Sequence, residues 1–224
     1  MEEKKTDLLH KGAIIQRDYD TYAIAPHLPG GICTPQVLRK IADVAEKFGA
    51  KALKLTSAQR IAIVGIKPED LDQVWSDLGM EPGAAIGLCV RSIKFCPGTT
   101  FCKRGTMDSV GMGMKLDEKY HGMPLPSKFK IGVSGCPNSC GESWIKDLGL
   151  IGTAKGWWIV VGGSAGATPS IAQVCIKGVD DQRALDIIER IITFYKQHDK
   201  KERLGKMIAR RGGIDIFKKE VGLE

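Results

Sequence analysis

The stretches Cys96-Pro-Gly-Thr-Thr-Phe-Cys102 and Cys136-Pro-Asn-Ser-Cys140 place four of the seven cysteines of this chain in two close pairs. Four thiolates are what a cubane iron–sulfur cluster or a tetrahedral zinc ion requires. Pro and Gly hold each loop in turn geometry, so that two sulfurs can bend toward a common point. Spacing discriminates between the metals. Zinc knuckles usually separate their cysteines by two to four residues, whereas the first pair here is separated by five. Iron–sulfur loops tolerate wider gaps and often set Pro directly after Cys. Spacing therefore favours iron–sulfur over zinc, with plain buried thiols as the third reading. Cys33, Cys89 and Cys175 stand alone in apolar or strand-like settings and are expected in the core.

Basic residues crowd the same region. Lys128 and Lys130 flank Phe129 at the start of an expected strand, so their side chains share a face just before the second cysteine loop. Arg91 and Lys94 lead into the first loop, Lys103 and Arg104 follow it, and Arg60 follows Gln59 further upstream. The whole chain carries 33 Lys and Arg against 26 Asp and Glu, a net +7 that suits an anionic substrate, an acidic cofactor or nucleic acid. Solvated strand-edge and helix-end charges are the plain alternative for any single residue. Four paired cysteines among converging cations point instead to a reducible oxyanion or an acidic cofactor. The four histidines are scattered, which leaves a histidine-centred hydrolase without an anchor.

The 224 residues are 43% hydrophobic and 26% charged, a globular composition that excludes collagen-like, coiled-coil and wholly disordered chains. The longest apolar stretch, Gly156 to Gly163, is far short of the ~20 residues that cross a bilayer. The charged N-terminus lacks the features of a secretory signal, so a cytoplasmic location is expected, and with it no disulfide framework. The first eleven residues read as frayed. Strand-like Ala13 to Ile15 and Tyr22 to Ile24 precede a helix capped by Thr34, with Pro35 at its first position and Val37, Leu38, Ile41, Val44, Ala45 and Phe48 at helical spacing. Strands at 52–56 and 61–65 and a helix opened by Pro68 complete a small α/β unit with two helices on one face of a sheet. Pro and Gly at 81–87 mark a boundary. Beyond it the pattern predicts a helix over 106–120, a strand over 129–133, a hairpin of 148–153 with 157–161, a strand over 171–176, a helix from Asp180, and two short helices broken at Gly212 and Gly213.

The combination Cys-x5-Cys with Gly-Cys-Pro-Asn-x-Cys resembles the signature of the siroheme and [4Fe-4S] sulfite and nitrite reductases. Leu28-Pro-Gly-Gly31, Leu55-Thr-Ser-Ala-Gln-Arg60 and Leu125-Pro-Ser-Lys-Phe-Lys130 match further segments, and the likeness runs from about Gly12 to Gly178. It implies an α+β protein: a small ferredoxin-like α/β unit over 1–80, on the substrate and siroheme side, followed by a mixed α/β siroheme and iron–sulfur domain over 81–224. It implies a [4Fe-4S] cluster on Cys96, Cys102, Cys136 and Cys140, with Cys140 also bridging to the siroheme iron. By the same resemblance Lys128, Lys130 and Arg91 face the substrate anion, while Thr56, Gln59, Arg60, Asn138, Gly162 and Gly163 lie near the macrocycle.

The activity so implied is the six-electron reduction of sulfite to sulfide or of nitrite to ammonia, with electrons passing from the cluster to siroheme. The alternatives are a siroheme and iron–sulfur electron-transfer or cofactor-binding protein without turnover, and a zinc-stabilised basic binding module. A polycarboxylate cofactor gives the excess of Lys and Arg a use that needs no nucleic acid. No flavin, nicotinamide or second cluster motif is visible, so a separate electron-donor protein is expected, with no membrane or nucleic-acid partner. Larger members duplicate the module that occurs once here, so a homo-oligomer is expected to supply the second half. The chain departs from the family at Ala58, where many members carry Arg, at Ala25 upstream of the Pro-Gly-Gly segment, and after Gly163, where a basic residue is usual.

Overall fold

Thr34 Oγ1 accepts the Val37 amide and Pro35 presets the first helical φ, which starts α1 (Pro35–Lys47) where the sequence places it. The computed structural model describes residues 5–223, and the chain divides into two compact units between Gly87 and Leu88.

The first unit holds a four-stranded antiparallel sheet of β1 (Ile14–Ile15), β2 (Tyr22–Ile24), β3 (Ala52–Leu55) and β4 (Ile61–Ile66), in the order β1-β2-β4-β3. α1 buries Ile41, Val44 and Ala45, and α2 (Leu71–Leu78) buries Leu71, Val74 and Leu78, in one core with Tyr22, Ile24, Ile63 and Ile66. β3 is the outer strand and is exposed along its whole length, with Leu55 79% exposed. The segment expected to be frayed is structured from residue 8. Leu8 pairs with Ala13 around a 3₁₀ turn at Leu9–Lys11, and the Trp75 indole donates to the Lys11 carbonyl. Residues 1–4 lie outside the described part.

The second unit is a five-stranded mixed sheet. β5 (Lys94–Phe95), β6 (Ile131–Ser134) and β7 (Leu148–Thr153) run parallel, and β8 (Gly156–Val161) and β9 (Gln173–Val179) continue antiparallel from β7. α3 (Gly98–Phe101), α4 (Ser109–Tyr120), α5 (Asp181–Lys196), α6 (Leu204–Arg210) and α7 (Ile214–Glu220) complete it. One core joins Phe95, Phe129, Ile131, Val133, Leu148, Leu150 and Trp157 to Leu116 of α4, Ile188 and Tyr195 of α5, and Phe217 of α7.

Two of the boundaries that differ from the sequence reading have a clear local cause. α4 begins at Ser109 rather than 106 because the Thr106 and Met107 amides are both taken by the Gly135 carbonyl, and Asp108 caps the helix through the Gly111 amide. β9 starts two residues late because Ser164 and Ser170 pair with each other first, leaving Ile171 exposed. Of the Trp157–Trp158 doublet, Trp157 is fully buried and Trp158 lies under the Lys177 ammonium, which is 4.5 Å from its ring. Among the described residues no helix is long and apolar enough to cross a membrane.

Candidate functional site

Cys96 leaves the end of β5 with its amide still in the parallel ladder, donating to the Val133 carbonyl, and α3 then turns the chain so that Cys102 donates back to Gly98. Cys136 begins a tight turn closed by the Ser139 amide, with Ser139 itself at φ +53. Gly135 stitches the loops together. Its carbonyl accepts from Thr106 and Met107, and its amide donates to the Cys96 sulfur at 3.1 Å. Cys96, Cys102, Cys136 and Cys140 consequently line one cavity of about 250 Å³, nearly free of polar atoms, with Arg104 and Asn138 at its wall.

The cavity fits a polynuclear cluster. Its backbone is cleared by glycine: a Cβ on Gly98 would stand 2.3 Å from Ser109 Oγ, and one on Gly105 2.4 Å from the Gly98 carbonyl carbon. Among the described residues no three His, Cys, Asp or Glu converge closely enough to hold one metal ion. A tetrahedral zinc with bonds of about 2.3 Å would draw its sulfurs to roughly 4 Å from one another. The four thiols instead surround a space, and an amide already hydrogen-bonds one sulfur as it would a thiolate. Cys96 is buried and Cys140 exposed, while of the three solitary cysteines only Cys175 is buried.

Fully buried Phe129 anchors the cations. Its amide donates to Cys89 and its carbonyl accepts from Arg91, so Arg91 is paired alongside the 128–130 segment, and Lys128 and Lys130 flank the buried ring on the solvent side. The Lys130 ammonium is held below its usual pKa by loss of hydration first and then by Lys146, Arg203 and Lys128, with Asp147 pulling the other way. Arg91 is likewise lowered, by burial first, with Arg203 adding to it. Lys146, Asp147 and Arg203 are members of this group that the sequence reading missed. Lys146-Asp147 precedes an apolar strand and could have been noticed as charge at a strand entry; nothing local marks Arg203. Glu142, two residues beyond Cys140, bridges Lys94 and Lys146 at 2.6 and 2.7 Å.

In the first unit Thr56, Gln59 and Arg60 belong to one turn, closed by the Thr56 amide on Arg60 and the Gln59 amide on Thr56, with Gln59 at φ +59. With Leu28, Gly30, Gly31 and Leu55 they line a cavity of about 400 Å³. Gly31 is required there, since a Cβ would meet Gln59 at 3.1 Å. Ala25 is buried and its carbonyl accepts the Gly83 amide, while Ala58 shares the turn in which Arg60 carries the guanidinium. Gly162 and Gly163 answer a packing need of the second unit: a Cβ on Gly162 would lie 3.2 Å from Gly205 Cα, and one on Gly163 2.5 Å from the Trp144 carbonyl.

Family models match both units. Residues 86–224 match the nitrite and sulphite reductase 4Fe-4S domain, and residues 14–80 the nitrite/sulfite reductase ferredoxin-like half domain. The chain is 42% identical over 211 residues to an assimilatory-type sulfite reductase of Nitratidesulfovibrio vulgaris, covering 94% of this chain and 97% of that protein. It is 40% identical to a Bacillus subtilis nitrite reductase [NAD(P)H] over 83% of this chain, but spans only 23% of that larger protein. Among solved structures, Mycobacterium tuberculosis NirA protein superimposes with a TM-score of 0.81 at 20% identity, over 95% of this chain and 44% of that one. That likeness shows the shared fold, and the expected mixed α/β architecture stands.

Proposed function

This chain belongs to the nitrite and sulphite reductase family, whose cofactors are siroheme and a [4Fe-4S] cluster, and we propose that it reduces sulfite to sulfide by six electrons, with reduction of nitrite to ammonia at the same site as the second activity. The observation that carries the reading is a four-thiol cavity in the same unit as a crowded group of lysines and arginines. When bound, the cluster and siroheme supply the reducing equivalents and a Lewis-acidic iron.

The rest is the work of this chain's residues. Cys96, Cys102, Cys136 and Cys140 would hold the cluster, and Cys140 would also serve siroheme. Arg60, Gln59, Thr56 and Asn138 would donate to the siroheme carboxylates and ring. Arg91 and Lys128 would hold the oxyanion by charge-assisted hydrogen bonds. Lys130 Nζ, whose pKa is already depressed, would pass on the two protons that each departing oxygen needs to leave as water, recovering each from solvent. Sulfite stands first because the relative that this chain spans almost end to end carries that name. A separate protein would deliver the electrons, and we place the enzyme in the cytoplasm as a homo-oligomer.

Anaerobic purification followed by iron, sulfide and visible-absorption analysis, then turnover with a dithionite-reduced dye, tests this. The expected protein contains both cofactors and consumes sulfite. Cofactors without turnover of either anion would leave an electron-transfer or cofactor-binding protein, and zinc in place of iron would overturn the reading.

A further inference from the structure

We propose that Arg203 is a further cation of the anion site and that Asp147 positions it, one buried carboxylate fixing both the Arg203 guanidinium and the main chain that carries Lys130. The inference rests on the reading that this cationic group receives the substrate anion.

Asp147 is 1% exposed, and its carboxylate is bound by Arg203 and the Lys130 amide, both of the cationic group. Arg203 Nε donates to Oδ1 at 2.7 Å and Nη2 to Oδ2 at 2.6 Å, a two-point fork that fixes the plane of the guanidinium as well as its place. Oδ2 also accepts the Lys130 amide at 2.8 Å. Asp147 and Lys130 immediately precede the paired parallel strands β7 and β6, where Ile131 stands opposite Leu148. The carboxylate therefore ties together two strand entries and the start of α6. The docking of that last segment is built into the packing: a Cβ on Gly205 would stand 2.3 Å from the Gly162 carbonyl, so the two glycine backbones are in direct contact.

The fork uses only two of the five N–H donors of the guanidinium. Here Nη1 of Arg203 meets no protein acceptor among the described residues. The guanidinium also acts electrostatically on Arg91 and on Lys130, depressing both. Two carboxylates, Asp147 and Glu142, are set against Arg91, Lys94, Lys128, Lys130, Lys146 and Arg203, an excess of like charge of the kind that concentrates at functional sites. The remaining N–H groups of Arg203 suit an oxygen of a small oxyanion, which sulfite and nitrite both present.

The test uses the purified, cofactor-loaded protein, with sulfite as probe, read by isothermal titration for binding and by dye-coupled turnover for KM and kcat. Arg203→Gln should weaken sulfite binding and raise KM about tenfold, the size of one lost charge-assisted hydrogen bond, with kcat and iron content held. Arg203→Lys should restore part of the affinity through charge without the fork. Asp147→Asn should reproduce the KM rise although the Arg203 charge remains, and the double variant should be no worse than either single one. If Asp147→Asn does not fold, the Arg203 pair decides alone. Arg210→Gln, which removes an exposed partner of Glu202, should change none of these values. Folded, iron-loaded Arg203→Gln with unaltered sulfite affinity and KM would overturn the inference. Wild-type protein that binds sulfite without reducing it would defeat the proposed reaction, and the binding comparison would still decide Arg203; wild-type protein that binds no sulfite would overturn both.

Discussion

Gly135→Ala adds one methyl group at the point where the two cysteine loops cross. Its Cβ would lie 2.6 Å from Gly98 Cα and 2.7 Å from the Met107 carbonyl oxygen. Both are backbone atoms, which no side-chain rotation can move aside. The loops must separate by several tenths of an ångström, and Gly135 is also their hydrogen-bond hub, accepting from Thr106 N at 2.8 Å, Thr106 Oγ1 at 2.9 Å and Met107 N at 3.0 Å. Overpacking of this kind costs about 1–3 kcal/mol, and loosening two of the hub's hydrogen bonds adds roughly 1 kcal/mol each. A loss of about 3–5 kcal/mol follows, equivalent to a melting temperature lower by roughly 10–20 °C for a unit of this size. The displacement is centred on the amide that donates to Cys96 Sγ, so iron retention should fall further than stability does. The assay is thermal unfolding together with iron and sulfide per chain. Gly122→Ala is the comparison: Gly122 is at φ +74 with nothing within 4 Å of its added Cβ, so only left-handed strain of about 1–2 kcal/mol is expected, with full iron content. A Gly135→Ala protein that keeps its iron and melts within a few degrees of the parent would refute the reasoning.

Lys128→Met and Lys130→Met should abolish sulfite and nitrite turnover and leave the visible spectrum intact; unchanged rates would show that these lysines do not handle substrate. Cys140→Ser should lose iron and sulfide, whereas Cys175→Ser, outside the cavity, should retain both; equal iron in the two would separate Cys140 from the cluster. Burial pushes the Cys175 thiol up to about 11, while the unfolded thiol ionises near 8.5. The folded-state pKa is the higher one, so this stabilisation is complete below about pH 8.5 and is lost as pH rises toward 11, by at most about 1.4 kcal/mol per pH unit. Denaturant melts of the parent and of Cys175→Ala between pH 8 and 11 should show the shallower slope in the variant. Trp157→Phe removes the indole that donates to Asp181 Oδ1 at 2.7 Å from a fully buried ring, and should cost about 2 kcal/mol in a chemical melt.

Local chemistry was legible wherever a few adjacent residues decide the outcome. Thr34-Pro35 fixes the start of α1 because cap and proline act within a single turn. Alternation around Phe129 fixes which side Lys128 and Lys130 take, because strand geometry has a period of two. β5 and α3 were not legible, for two-residue and four-residue elements lie below any period that a sequence can display. The start of α4 was missed for a different reason: the Gly135 carbonyl, far along the chain, removes two amides that would otherwise open the helix.

Glycine shows the same division. Gly162 and Gly163 resemble a family hairpin beside a cofactor, but their bare faces meet Gly205 and the Trp144 and Lys146 backbone, so protein packing alone accounts for them.

By itself the sequence determined the four thiols, two in each of two turns, and the cationic character around them, because residue type and spacing are properties of the chain. Only the tertiary structure decided that those four sulfurs line a single cavity and that Arg203 reaches Asp147 and the Lys130 main chain. The physical reason is that parallel strand pairing brings β5, β6 and β7 side by side from distant parts of the chain, and with them every loop and charge at their ends.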